Sequence, residues 1–161
     1  MRHKALVLLF TSLLFCSYAL TQAKPAGMAA AGVPDKAFMQ KICDVWSTMN
    51  LDNAAKYYDS SPALLFFDIS PLKYTGWAQY AAGAKKELAG LKSIKFVVHD
   101  DAAVHHGGNF AFGTATVNTT MTDKAGKVTN LDCRWTVVWE KKGAKWLIVH
   151  EHFSAPMPPP K

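Results

Sequence analysis

The sequence has little of what usually marks nucleic-acid binding, nucleophilic catalysis or a repeat architecture. Lysine and arginine outnumber the acidic residues by 18 to 12, but the lysines are scattered and form no basic stripe interleaved with aromatic residues. No nucleic-acid partner is therefore predicted. No serine or cysteine stands in a nucleophile elbow, which makes a nucleophilic hydrolase a weak hypothesis. Neither a repeat nor a second domain is visible in the 161 residues, so one domain with one core is expected.

Cysteine is also scarce, with only three in the chain. Cys16 lies in an apolar N-terminal run, and a lipid-modified cysteine is not favoured there because bulky Phe15 precedes it where a small residue is needed. The two others, Cys43 and Cys133, could form a disulfide in an oxidising compartment or remain two separate buried thiols. The sequence leaves both alternatives open.

The N-terminal segment has the pattern of an export signal. A short basic start (1–4) is followed by an apolar run (5–20), and Thr21 and Ala23 provide small residues at the −3 and −1 positions of a cleavage site. The alternative is a membrane anchor, but the run is at the short end of the roughly 20 residues that span a bilayer. The pattern predicts a signal peptide over 1–23 and a periplasmic or secreted protein, without membrane contact after cleavage. Loss of Arg2 and Lys4 would reduce the net charge from +6 to +4.

Helical patterns come first in the remaining chain and strand patterns follow. After a lead-in rich in alanine and glycine (24–33), helical spacing of apolar residues predicts helices from 34 to about 49, from 51, and from 76 to about 91. Strands are predicted over 63–69, 94–100, 110–122, 128–140 and 146–154, with His105 and His106 at a loop tip. This order indicates an α+β domain over 34–156, in which a strongly curved antiparallel sheet wraps around three N-terminal helices. A proline-rich tail (157–161) follows.

The last predicted strand places two histidines on one face. Strict alternation gives Trp146, Ile148, His150 and His152 the same side, which we expect to face an enclosed space. A four-residue loop over 141–144 would pair this strand with the one before it. The expected partners are Trp139 with Trp146, Val137 with Ile148, Trp135 with His150, and Cys133 with His152.

The same register defines an outer face on the two strands. Arg134 would lie opposite Glu151 there as a cross-strand ion pair. The face would also hold Thr136, Val138, Leu147, Val149 and Phe153. Because this set is too apolar to face water alone, it predicts a homodimer surface.

Several segments together resemble a known family. These are Phe66-Phe67-Asp68 with Pro71 and Gly76-Trp77, then Arg134-Trp135-Thr136, then Lys145-Trp146 through Pro156. The mature chain resembles the SnoaL-like branch of the nuclear transport factor 2-like superfamily, which includes ketosteroid isomerase and the association domain of calcium/calmodulin-dependent kinase II. The resemblance implies a cone-shaped α+β barrel, commonly dimeric, with a pocket between sheet and helices. It does not fix the function, since enzymes, binders and assembly modules share this fold.

The resemblance to ketosteroid isomerase concerns three residues. Asp68 falls where that enzyme has its general base, and its apolar neighbours favour a raised carboxyl pKa. Trp46 stands near the position of an oxyanion-stabilising tyrosine, and Trp135 near that of a protonated carboxyl. Neither indole can act as an acid, so steroid isomerisation is not predicted. The alternative for Asp68 is a structural residue at a strand end.

His150 and His152 also raise the question of a metal. A His-x-His pair on a strand places two imidazoles on one side, but a site needs further ligands. The candidates are His99, His105, His106 and Asp68, and no ligand follows downstream. Neither a metal nor another cofactor is predicted, and the two histidines are expected to serve structure or pocket polarity.

Three functional hypotheses remain. The first is an exported, homodimeric binding module whose aromatic pocket holds a small, partly apolar organic molecule. The second is a cofactor-free isomerase, dehydratase or hydrolase in which Asp68 or His150 transfers a proton. The third is a dimeric assembly or interaction module. The predicted ligand-binding residues are Trp46, Tyr58, Asp68, Trp77, Trp135, His150 and His152.

Overall fold

A computed structural model describes residues 33–157 of the chain. The predicted signal peptide (1–23), the lead-in apart from Val33, and the tail beyond Met157 lie outside these described residues. Over the described range, no helix combines the length and the apolar character needed to cross a membrane.

Three α-helices form where the apolar spacing predicts them. They are α1 (Lys36–Ser47), α2 (Leu51–Ala54) with a 3₁₀ turn (Ala55–Tyr57) after it, and α3 (Gly76–Leu88). Helix α1 begins after Asp35, whose side chain accepts a hydrogen bond from the backbone N–H of Phe38 at 2.7 Å. This bond satisfies one of the N–H groups that a helix start leaves unpaired.

Seven strands form one sheet. They are β1 (Leu65–Phe67), β2 (Tyr74–Thr75), β3 (Leu91–Val98), β4 (Ala103–Gly107), β5 (Phe110–Asp123), β6 (Val128–Lys142) and β7 (Lys145–Ser154). The strand order is β2-β1-β7-β6-β5-β3, and β4 also pairs with β5. All pairs are antiparallel except β1 with β7, which run parallel. The predicted α+β class is confirmed, and the curved sheet is open, ending at β2 and β3.

Two hairpins turn more tightly than the sequence suggested. His105 and His106 belong to β4 and not to a loop tip, because the turn is formed by Gly108 and Asn109 between paired strands. In the last hairpin, Lys142 pairs with Lys145 across Gly143 and Ala144. Gly108 and Gly143 have φ values of 64° and 62°, which glycine adopts without steric cost. The predicted four-residue loop over 141–144 is therefore wrong.

A β-bulge changes the register of the last hairpin again. Trp139 pairs with Ile148 but Val138 pairs with His150, so Val149 is an extra residue on β7. The two-residue turn shifts the predicted pairs by two positions, and the bulge shifts those beyond it by one more. The predicted pairs of Trp139 with Trp146, Val137 with Ile148, Trp135 with His150 and Cys133 with His152 are therefore wrong. Beyond the bulge Glu151 is 3% exposed and points inward, whereas the neighbouring His152 is exposed.

The bulge also corrects the predicted outer face. Arg134 pairs with Ser154 and not with Glu151, so the expected cross-strand ion pair does not exist. Phe153 lies inside, where its ring meets that of Phe96 edge to face with centroids 5.9 Å apart. Two of the residues predicted to form a dimer surface, Glu151 and Phe153, therefore belong to the interior.

The main core lies between α1 and the inner face of the sheet. Its largest fully buried side chains include Trp139, Phe66, Met39, Ile42 and Ile148. Trp139 crosses so close to β5 that a Cβ at Gly113 would lie 2.9 Å from the indole. Toward the other end of α1 the packing opens into a cavity.

Candidate functional site

A cavity of about 310 Å³ lies between helices α1 and α3 and the inner face of the sheet. Most of its wall is apolar or aromatic. The lining residues include Ile42, Cys43 and Trp46 from α1, Tyr80, Ala84 and Leu88 from α3, Ile94 and Phe96 from β3, Met121 from β5, Leu131 and Trp135 from β6, and Phe153 from β7. Its volume is at the lower end of the range found for small-molecule pockets.

Glu151 is the most deeply buried carboxyl group of this wall. Its Oε1 accepts a hydrogen bond from the Tyr58 hydroxyl at 2.8 Å, and its Oε2 accepts one from the Trp135 indole N–H at 3.1 Å. The Trp46 indole in turn donates to the Tyr58 hydroxyl oxygen at 2.9 Å. The carboxyl group is thus held by two donors, and one of these is oriented by a third aromatic side chain.

Burial raises the pKa of Glu151 from 4.5 to about 7. The nearby Tyr80 hydroxyl and the hydrogen bonds from Tyr58 and Trp135 oppose this rise in pKa because they favour the charged form, and the negative charge of Asp68 adds to it. The indole of Trp135 can only donate. A proton on Oε1 would find a hydrogen-bond acceptor in the Tyr58 hydroxyl, whereas a proton on Oε2 would find none in Trp135.

Asp68 is a second carboxyl group at the cavity. It directly follows β1 and is partly buried, and its Oδ1 accepts a hydrogen bond from the backbone N–H of Ile69 at 2.7 Å. Burial raises the pKa of Asp68, while that N–H and the Tyr80 hydroxyl lower it. Tyr80 lowers the pKa of both Asp68 and Glu151, so the three side chains form one interacting group. The hydrogen bond to the backbone of Ile69 also agrees with the alternative stated for Asp68, a structural residue at a strand end.

Glu87 adds a third carboxyl group to the cavity wall. It lies near the end of α3 and is exposed, which places it toward the mouth. Burial raises the pKa of Glu87, and the charge of Asp68 raises it further. Among the described residues that line the cavity there is no lysine, arginine or histidine.

The predicted site residues fall into three groups. Trp46, Asp68 and Trp135 lie on the cavity wall. Tyr58 and Trp77 lie behind it, where their rings stack with centroids 4.4 Å apart and an interplanar angle of 28°. Tyr58 reaches the site through its hydrogen bonds with Glu151 and Trp46.

The two histidines of β7 point away from the cavity, contrary to the prediction. His150 places Nδ1 2.8 Å from the backbone oxygen of Leu65, and both His150 and His152 meet the ring of Phe67 edge to face. The bulge at Val149 is the physical reason. His150 is therefore not placed to transfer a proton inside the cavity, and neither histidine is placed to contact a ligand there.

Sequence reasoning missed Glu151 and Tyr80. Glu151 stands between two histidines, and an uninterrupted strand would place it outside. The sequence did contain one indication that Glu151 faces inward. Phe153, two residues later, lies on the same face of the strand, and its apolar ring favours a buried position. Tyr80 was recognised as part of the apolar spacing of α3 but not as a polar group.

The cysteines and the histidines provide no nucleophile or metal site in the described part of the chain. Cys43 and Cys133 are free and buried. Burial, with the nearby charge of Glu151, raises the pKa of the Cys43 thiol to about 12, so it stays neutral at the cavity wall. Across residues 33–157, no three His, Cys, Asp or Glu side chains come together in a way that could hold a metal ion.

Comparison with solved structures identifies the fold. A nuclear transport factor 2-like superfamily protein from Salmonella enterica superimposes with a TM-score of 0.67 at 20% identity, covering 76% of this chain and 92% of the other. A Xanthomonas campestris protein, provisionally named a calcium/calmodulin dependent protein kinase II association domain, gives 0.65 at 27% identity, with 76% and 84% covered. A Streptomyces avermitilis protein, provisionally named a dehydratase of the NTF2-like family, gives 0.65 at 14% identity, with 78% and 100% covered.

Comparison with curated proteins gives no match to this chain. The family model described as "SnoaL-like domain" matches residues 36–158, which is most of the chain. The suspected resemblance is confirmed by this match and by the shared fold of the solved structures. The chain belongs to the SnoaL-like domain family, and it shares its fold with the nuclear transport factor 2-like superfamily protein from Salmonella enterica.

Proposed function

We propose that this protein binds a small, largely apolar organic molecule in the cavity between the helices and the sheet, with the polar group of the ligand against Asp68 and Glu151. One observation carries the proposal. An apolar cavity of about 310 Å³ ends at a buried carboxyl group that donors already hold in a fixed position. Such a site offers apolar area for affinity and one polar point for orientation.

The energetics of filling a cavity of this kind support this proposal. Protein interiors are close-packed, and a void of this size leaves its lining without dispersion contacts on one side. A buried carboxyl group adds a desolvation cost that only hydrogen bonds reduce. A ligand that fills the apolar part and bonds to the carboxyl would recover both losses.

Blocking the cavity from helix α3 tests the proposal. Ala84 lines the cavity, whereas Ala82 is exposed on the same helix. The neutral fluorescent probe N-phenyl-1-naphthylamine should bind the wild type and the control Ala82→Phe, and Ala84→Phe should lose this binding because the new ring fills the space. The circular dichroism spectrum verifies that each variant is folded. Equal probe binding by Ala84→Phe and the wild type would reject the cavity as the binding site.

A cofactor-free enzyme is the second candidate, favoured by the paired carboxyl groups. A carboxyl with a pKa near 7 can both release and accept a proton at neutral pH. Glu151 would then hold or deliver a proton in place of His150, and Asp68 would act on the ligand as the second acid–base group, the role expected for it from the sequence. The Streptomyces neighbour that is provisionally named a dehydratase supports this alternative. Asp68→Asn should then reduce turnover by about 10²–10⁴-fold with little change in binding.

The outer face of the sheet supports a homodimer, which we include in the proposal. Phe112 is 47% exposed and pairs with Val138, and Val138 pairs with His150 across the next strand. These three residues form a partly apolar strip across β5, β6 and β7. The Xanthomonas neighbour is named as an association domain, which also supports assembly. A second copy of this chain is the proposed partner.

Export remains part of the proposal on sequence grounds alone. The basic start, the apolar run and the small residues at 21 and 23 lie outside the described residues. The mature protein should begin near Lys24 and be periplasmic or secreted.

A further inference from the structure

The charge balance of the cavity narrows the class of its ligand. Asp68, Glu87 and Glu151 all line it, and the described lining residues include no cationic side chain. The lysines of the adjoining elements, Lys85 and Lys86 on α3 and Lys92 and Lys95 on β3, are exposed and do not line the cavity. The cavity is therefore an apolar enclosure in which every charged side chain of the described lining is a carboxylate.

We infer that the ligand carries a protonated amine on an apolar body, and that the ammonium group binds between Asp68 and Glu151. This inference rests on the proposed binding function and specifies it. An ammonium group offers three donors, and both carboxyl groups have acceptor positions beyond those that their present partners use. Charge-assisted bonds of this kind are roughly twice as strong as neutral ones.

The aromatic wall fits the same ligand class. The rings of Trp46, Tyr80 and Trp135 border the cavity beside the carboxyl groups. Their faces carry partial negative charge and attract a cation within about 6 Å of the ring centre. The apolar residues farther along α3 and β3 would contact the hydrocarbon part. An anionic ligand would instead meet three acidic groups with no counter-charge, and a neutral one would lose the ionic contribution.

The buried carboxyl groups gain most from a cationic partner. Around Glu151 the titratable neighbours are Tyr58, Tyr80, Cys43 and Asp68. Burial keeps the pKa values of both tyrosines well above the ordinary value and that of Cys43 at about 12, so all three stay neutral. Asp68 is the remaining neighbour and has the same sign as Glu151. A bound ammonium group would thus be the first positive charge to face Glu151 from within the cavity.

Three probes with one hydrocarbon body test the inference. 4-Phenylbutylamine, 4-phenyl-1-butanol and 4-phenylbutyrate present a cationic, a neutral and an anionic end. Their dissociation constants are measured by isothermal titration calorimetry on the full mature chain at pH 6 and pH 8. At pH 8 the amine should bind about tenfold more tightly than the alcohol, because a charge-assisted bond replaces a neutral one, and the butyrate should bind most weakly. The preference for the amine should be smaller at pH 6, where Glu151 is largely protonated.

Variants identify the carboxyl groups responsible. Glu151→Gln keeps the shape and should remove most of the preference for the amine over the alcohol, and Asp68→Asn should reduce it. Glu140→Gln is the matched control, since Glu140 forms an ion pair with Lys142 and does not line the cavity. It should retain the full preference.

The outcomes separate this inference from the function on which it rests. If the alcohol or the butyrate binds as tightly as the amine, the cationic ligand class is wrong and the binding function stands. If the preference survives in Glu151→Gln and Asp68→Asn together, the ammonium position is wrong. If none of the three probes binds at millimolar concentration, both the inference and the proposed function fail.

Discussion

Replacing Glu151 by glutamine should stabilise the protein at pH 8, although it removes a hydrogen-bonded carboxylate. The pKa of Glu151 is raised from 4.5 in the unfolded chain to about 7 in the folded one. Between these values the folded state binds more protons than the unfolded state, so stability falls as pH rises. The interval of about 2.5 units at 1.36 kcal/mol each corresponds to a loss of about 3 kcal/mol.

Glutamine imitates the protonated form of this side chain. Its carbonyl oxygen can accept from Trp135, which only donates, while its amide N–H₂ faces the Tyr58 hydroxyl. At pH 5 the variant should therefore have a free energy of unfolding within about 1 kcal/mol of the wild type. At pH 8 the carboxyl of Glu151 is ionised in the folded wild type, which lowers its free energy of unfolding, whereas glutamine carries no charge. The variant should therefore be more stable by about 3 kcal/mol.

Urea unfolding followed by tryptophan fluorescence at pH 5, 6, 7 and 8 measures this effect. The difference between the two proteins isolates Glu151, because Asp68 and Glu87, which also have raised pKa values, are present in both. Asp59 has a lowered pKa, and its contribution is lost only at pH values below this range. Glu140→Gln serves again as the control and should follow the pH dependence of the wild type. Parallel curves for the wild type and Glu151→Gln would refute the reasoning.

Four further predictions concern binding, the outer face and the N-terminus. Asp68→Asn should change the affinity for a neutral ligand by about tenfold or less if the cavity only binds, since one neutral hydrogen bond contributes roughly 0.5–1.5 kcal/mol. Calorimetry with 4-phenyl-1-butanol measures it, and an unchanged affinity would leave Asp68 its structural role alone. His150→Ala should lower the free energy of unfolding by about 1 kcal/mol through loss of its bond to Leu65, with cavity binding unaffected; weaker amine binding by this variant would contradict the outward position of the ring. Val138→Glu should convert a dimer to a monomer in light scattering at micromolar concentration, and a wild type that is already monomeric there would remove the dimer proposal. N-terminal sequencing of protein from its native host should find a start near Lys24, and retention of Met1 would exclude cleavage.

Much of the architecture could be predicted from residue patterns. The apolar spacing of α1 and α3 and the alternation along β5 and β6 are long and regular, and the structure has these elements close to the expected positions. Tyr74–Thr75 and Ala103–Gly107 are shorter strands that the sequence did not predict, because two to five residues give too little periodicity. The parallel pairing of β1 with β7 joins segments that are far apart in sequence, where no turn fixes the direction.

The candidate site was predictable only in part. Trp46 and Trp135 reach the cavity wall because they lie on α1 and β6, whose long apolar patterns mark the inward face, and Asp68 reaches it from the position directly after β1. Glu151, His150 and His152 lie beyond a bulge, and their sides depend on whether one residue of β7 stays unpaired. Whether Val149 is paired depends on how Ile148 and Phe153 pack against the interior. This packing is a property of the three-dimensional structure and not of local propensity.

The unpaired position of Val149 decides which side chains of the last strand reach the cavity. Pairing one further residue of a strand exchanges the two sides of every residue downstream. If Val149 were paired in a regular strand, the same sequence would direct His150 and His152 inward and Glu151 outward, and Asp68 and Glu87 would remain as the carboxyl groups of the wall. A change in pairing alone, with no change of sequence, would therefore replace the most buried carboxyl group of the cavity with two imidazoles.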